Sequence, residues 1–140
     1  MLYTMHPKRI ILPINHWRAM LAHVRRCTPE EACGLLGGEA DKAHYVLPIN
    51  NIARSPERFR MDPLQQVEAL MQIDERGDQL VGIYHSHPSG PATPSELDIK
   101  EAAYPEAAYL IWSKSGEEWQ CRAFIMLLEG PREIPIHLEE

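Results

Sequence analysis

A mixed α/β (α+β) fold, one sheet with helices packed on its faces, is what this sequence predicts, and three observations predict it. Two stretches carry the apolar spacing of amphipathic helices: INHWRAMLAHVRRC (14–27) and the segment opened by Asp62-Pro63. Around them lie short apolar runs bounded by turn residues, as strands do. The resulting order, β-α-β-β-α-β-α-β-β-β, mixes both element types without the strict alternation of a doubly wound fold.

Each element has its own justification. RIIL (9–12) is an apolar strand ended by Pro13. In 14–27, Ile14, Trp17, Met20, Leu21 and Val24 share a helical face, Arg25 and Arg26 suit the last turn, and Thr28-Pro29 breaks the helix. EACGLLGG, from Glu31 to Gly38, is a buried strand, and AHYVLPIN (43–50) is its hairpin partner across GGEADK. NIARSPERFRM (51–61) has no period and reads as a loop. Asp62 is the N-cap and Pro63 the first residue of a helix marked by Leu64, Val67, Leu70 and Met71 and closed by Gly77. QLVGIYHSH (79–87) is a strand and PSELDIKEAA (94–103) a short helix. Strands AAYLIWS (107–113), EWQCRAFIML (118–127) and EIPIHL (133–138) complete the chain.

Composition bounds the function. The 140 residues suit a single domain, 1–140, with 44% hydrophobic and 24% charged residues, near globular averages. A net charge of −6 without any basic stripe excludes a phosphate-backbone binder, so no nucleic-acid partner is expected. No run has the length of a membrane span, and the start MLYTMHPKR lacks the apolar core of a signal peptide. Cys27, Cys33 and Cys121 form no C-x-x-C pair, which points to a reducing, cytoplasmic setting.

The chemistry concentrates in GIYHSHPSGPATPSELDIKEA (82–102). His85 and His87, two apart on a strand, leave the same face, and Ser86 points the other way. Alone, H-x-H also fits a chance pair of edge histidines beside a carboxylate. Asp98 is the candidate third ligand. Ser95-x-x-Asp98 also has the form of a capping box, but Thr93 as N-cap, Pro94 at the first helical position and Glu96 as reciprocal acid make a better start. That register leaves Ser95 and Asp98 free to face the strand end. Two imidazoles and one carboxylate leave a tetrahedral ion's fourth position open, the pattern of a catalytic rather than a structural zinc. Such a site needs a general base, and Glu30 or Glu31, ahead of an apolar strand, could supply it; the residues alone do not separate the two.

These residues together resemble the JAMM (MPN-plus) motif of zinc-dependent isopeptidases: His85-x-His87-Pro88, then Ser95-x-x-Asp98, with Glu-x-Cys-Gly upstream. EEACGLLGG, the approach to RFRMDP and LVGIYHSHP are similar to segments of small prokaryotic members. The resemblance implies one zinc ion held by His85, His87 and Asp98, Glu31 as catalytic base in preference to Glu30, and Ser95 as oxyanion stabiliser. It implies an MPN, cytidine-deaminase-like fold with a curved mixed sheet. Its substrates are ubiquitin-like or sulfur-carrier proteins, cut after a Gly-Gly tail that lies in a groove, here expected between 51–61 and 88–94. A monomer or homodimer is expected. A non-catalytic scaffold of the same fold, or a zinc hydrolase of small amides, is the alternative. A zinc deaminase is not, since its H-x-E signature is completed by P-C-x-x-C and no C-x-x-C occurs.

Overall fold

The structure is a computed structural model and describes residues 6–140. Of the N-terminal stretch read for a leader, MLYTM lies outside the described residues. Strand β1 (Ile10–Pro13) runs straight into helix α1 (Ile14–Cys27), and β2 (Cys33–Glu39) and β3 (Lys42–Ile49) form the expected hairpin. Helix α2 (Pro63–Glu75), β4 (Gln79–His87), α3 (Glu96–Glu101), β5 (Ala108–Ser115) and β6 (Glu118–Leu127) follow. The last predicted strand is two: β7 (Gly130–Ile134) and β8 (Ile136–Glu139), split at Pro135, which has no N–H to give a ladder.

That split shapes the sheet. The strand order is β7-β6-β5-β4-β2-β3-β1-β8, so β7 and β8 lie at opposite ends yet are joined by one residue. The sheet must therefore curl until its ends meet, and the Ile10 amide donates to the Pro135 carbonyl at the junction, 3.0 Å. β8 runs parallel to β1, with Ile10 opposite Ile136.

Side-chain alternation divides the interior into two cores. Leu36, Tyr84, Leu110 and Trp112 join Met20 and Val24 of α1 in one; Trp17 packs on Trp112 with centroids 5.1 Å apart. Cys33, Leu35, Ile83 and Tyr109 join Ala69 and Ile73 of α2 in the other. Here the structure corrects the face expected of α2. Leu70 packs partly inward, but Leu64, Val67 and Met71 are 68%, 53% and 56% exposed, while Ala69 and Ile73 are buried. Small Ala69 lets the helix come close to the sheet, and Ile73 one turn on extends the same face. The helix ends are as predicted. The Asp62 carboxylate accepts from the Leu64 and Gln65 amides, and Gly77 (φ +72°) turns the chain so that Asp78 N–H reaches the Ile73 carbonyl at 3.1 Å.

β4 is the strand that matters for the site. It pairs antiparallel with β2 and parallel with β5, so it is enclosed on both edges, and the chain is buried from Val81 to His87. Alternation puts His85 and His87 on the face of Ile83, towards α2, with Cys33 directly across the ladder from His85.

Candidate metal centre

Three acceptor atoms converge beyond the end of β4. His85 Nε2 and His87 Nε2 are 3.1 Å apart, and each is 3.1 Å from Asp98 Oδ2. The His87 Nδ1–H donates to the Pro91 carbonyl at 2.7 Å, so in the neutral ring Nε2 is a bare lone pair. Lone pairs of three acceptors at this spacing repel unless protons or a cation lie between them. A tetrahedral zinc with ligands at roughly 2.0–2.1 Å would space its donors about 3.3 Å apart, so the donor set fits that ion in both chemistry and size.

Glu31 completes the group. Its carboxylate oxygen and the ring nitrogens of His85 and His87 lie within 4.8 Å of one another, all three residues being buried. Glu31 is 2% exposed, and its Oε1 has no hydrogen-bond partner among the described residues. Burial pushes its pKa up to about 8, a rise that His87 opposes and Asp98 reinforces. The chain fixes Glu31 from several sides. Its amide donates to the Ser55 carbonyl, 2.9 Å, and the next amide, Ala32, donates to Ser86 Oγ, 2.8 Å. Ser86 thus points away from the imidazoles, as alternation predicts, and ties the end of β4 to the residue after Glu31.

Charge within the triangle is polarised. Burial would raise the Asp98 pKa, but the two imidazoles and the Ser95 amide beside it outweigh burial and hold the carboxyl well below the usual range. Burial pulls His85 down. At His87 burial also acts downward, but Asp98 and the Pro91 carbonyl prevail and raise it.

The structure overturns the expected start of α3. Ser95, not Thr93, is the N-cap, and Asp98, not Glu96, is the reciprocal acid. Ser95 Oγ accepts from the Asp98 amide at 3.0 Å, and Asp98 Oδ2 accepts from the Ser95 amide at 2.9 Å. The backbone of Ser95 is still extended (φ −77°, ψ 168°), so no helix can begin before it. The cap does use Ser95 and Asp98, yet it does not remove them from the site: Oδ2 serves the Ser95 amide and both imidazoles at once, and the box pins the carboxylate where the histidines need it. The Ser95 hydroxyl, an acceptor in the cap, keeps its own proton to donate.

Two features escaped the sequence. Phe59, in the loop 51–61, stacks on His85 with centroids 4.6 Å apart; the lone aromatic in RFRM was its only signal. A cleft beside Phe59 is the other. A cleft of about 800 Å³ runs between Ile52, Arg58, Phe59 and Met61 on one side and Leu97, Glu101 and Tyr104 on the other. The loop 51–61 forms one wall of this cleft, and α3 and its exit form the other. The stretch 88–94 instead holds His87 through Pro91. His6, His16, His23, His44 and His137 take no part in the site; His23, buried, is paired with the Tyr84 hydroxyl at 2.7 Å.

Fold and site together define a curved-sheet protein in which two histidines and a carboxylate, with a buried acid beside them, form a group that could hold a metal ion. Residues 13–124 match the family described as prokaryotic homologs of the JAB domain, and the chain belongs to that family. It is 34% identical over 125 residues to a CysO-cysteine peptidase of Mycobacterium tuberculosis, covering 87% of this chain and 86% of the relative. It is 35% identical over 126 residues to a desampylase of Haloferax volcanii (82% and 91% covered). A probable TtuB-protein conjugate cleaving protease of Thermus thermophilus is 40% identical over 106 residues (75% and 68% covered). Among solved structures, a protein from Desulfitobacterium hafniense superposes with a TM-score of 0.84 at 40% identity, covering 94% of this chain and 93% of that one. A JAB1/MPN domain protein from Archaeoglobus fulgidus does so at 0.60 and 20% identity, covering 94% and 99%, a likeness of fold alone.

Proposed function

We propose that this protein is a zinc-dependent peptidase that hydrolyses the bond after the C-terminal Gly-Gly of a ubiquitin-like or sulfur-carrier protein. The observation that carries this reading is the triangle of His85, His87 and Asp98 acceptors with an unpartnered, buried Glu31 oxygen beside it. The relatives' activities agree with it: peptidases and conjugate-cleaving enzymes recur among them.

In this reading His85, His87 and Asp98 hold the ion. Zinc, when bound, supplies Lewis acidity and a hydroxide nucleophile near neutral pH. Glu31 accepts the attacking water's proton and returns it to the leaving amine. Ser95 directs its hydroxyl proton at the developing oxyanion, a contact typically worth a few kcal/mol. The extended tail lies in the cleft beside Phe59. The chain acts as one domain, as a monomer or homodimer, with a protein partner and no nucleic acid. No helix among the described residues is long and apolar enough to cross a membrane, in keeping with a cytoplasmic enzyme.

Two variants test the roles. Glu31→Gln should abolish turnover while zinc stays bound, and His87→Ala should lose both zinc and turnover. A fully active Glu31→Gln enzyme would discard the base assignment.

A further inference from the structure

One side-chain amide reaches both working parts of the site. Asn51 Nδ2 donates to the Glu31 carbonyl at 3.0 Å and to the Arg58 carbonyl at 3.1 Å. Its Oδ1 accepts from the Ala53 amide at 3.0 Å and the Arg60 amide at 2.9 Å. Two donations and two acceptances satisfy the whole amide, and the opposite orientation of the group would aim its NH2 at two N–H donors. The Arg58 carbonyl and Arg60 amide flank Phe59, whose ring lies on His85. The stretch is also held by main-chain contacts, Ile52 N–H to the Arg60 carbonyl, Glu31 N–H to the Ser55 carbonyl and an isolated bridge between Asn51 and Met61, and by the Glu57 amide donating to Ser55 Oγ at 3.0 Å.

We infer that Asn51 is a positioning residue that couples Glu31 to the Phe59 loop, so that the acid and the ring covering His85 keep one geometry. The inference rests on the peptidase reading for its kinetic part only. Asn51 touches neither the three acceptor atoms nor the Glu31 carboxylate, so it acts through backbone placement. Loops without regular structure hold their shape through such side-chain to main-chain bonds. An error of an ångström in a reacting group is enough to slow a reaction strongly.

The test uses the zinc-loaded full chain and its Asn51→Ala and Asn51→Asp variants. The substrate is a Gly-Gly-ended carrier extended by a short peptide, and amide hydrogen exchange and zinc content are followed in parallel. Aspartate keeps the two acceptor contacts and removes both donations. Both variants should retain zinc, with kcat lowered about 10- to 100-fold and KM changed far less. In Asn51→Ala the amides of Glu31, Ala53 and Arg60 should exchange faster while that of Leu110 in β5 is unchanged. A purely structural role would instead lower the melting temperature and leave kcat per folded molecule intact. Either variant working within about twofold of wild type at full zinc occupancy would overturn the inference. So would unchanged exchange at Glu31 and Arg60 in Asn51→Ala. If the unmodified chain cuts no carrier, the peptidase reading fails, and the exchange result still decides whether Asn51 holds the loop.

Discussion

The ring of Phe59 lies on the imidazole of His85, 28° from parallel and 4.6 Å between centroids. The two histidines are therefore held by different means. A hydrogen bond to Pro91 orients the Nδ1 side of His87, whereas His85 Nδ1 has no partner among the described residues and that side of its ring is held by packing. Phe59→Ala should loosen and hydrate His85 and weaken zinc binding about tenfold, in the range of other supporting-residue losses. Competition with a chromophoric chelator measures this, and Phe59→Leu should recover part of the loss. Equal affinity in wild type and Phe59→Ala would show that packing does not orient His85.

Gly34 and Tyr84 give a packing prediction. A Cβ on Gly34 would run into the Tyr84 ring, which is fully buried and anchored to His23, so the ring cannot swing aside. Gly34→Ala should cost about 3 kcal/mol by urea unfolding, at the upper end for overpacking. A loss below about 0.5 kcal/mol would mean that the ring has room to move.

His23 makes stability depend on pH. Burial, reinforced by Arg26, holds its pKa below the ordinary 6.5. The unfolded chain then binds a proton that the folded chain resists. The His23 contribution is complete above about pH 6.5 and fades as pH falls from there towards the folded value. Urea unfolding from pH 7.5 to 5 should show the advantage of wild type over His23→Gln shrinking with acidity. An advantage that is constant or grows on acidification would contradict this.

The outward stripe of α2 is expected to be dispensable for folding. Leu64→Ser, Val67→Ser and Met71→Gln should each change stability by less than about 1 kcal/mol, whereas Ile73→Ala should cost about 2–4 kcal/mol. Thermal and urea unfolding of the four variants would decide it; the reverse ranking would restore the face read from the sequence.

The errors and successes of the sequence reading have distinct physical origins. The bounds of α1 and β4 were legible because Pro13, Thr28-Pro29 and the His-Pro step punctuate an apolar period, and Asp62-Pro63 announces α2. The face of α2 was not, since Leu64, Val67 and Met71 repeat as well as Ala69 and Ile73 do, and only the sheet decides which set is covered. The two ends of the sheet meet through Pro135, a long-range relation that no local pattern carries. At the candidate site, the meeting of His85, His87 and Asp98 was legible from spacing, and Glu31 was separated from Glu30 only with the help of the family resemblance. The Ser95 cap was misplaced because Thr93-Pro94 is also a good start by local rules; the imidazoles that favour Asp98 as the reciprocal acid belong to another element, β4, and meet it only through the fold of the intervening loop. Asn51 and Phe59 sit in an aperiodic loop, where roles come from tertiary contacts alone.

The most direct measurement is cleavage of carriers. Ubiquitin-like proteins from the same organism, each extended by a short peptide after Gly-Gly, would be incubated with the purified protein and the products weighed by mass spectrometry. The account predicts a cut after Gly-Gly that stops with chelator, returns with zinc and is absent in Glu31→Gln. Cleavage that persists in chelator with zinc shown to be removed, or no cleavage of any carrier by zinc-loaded protein, would contradict it.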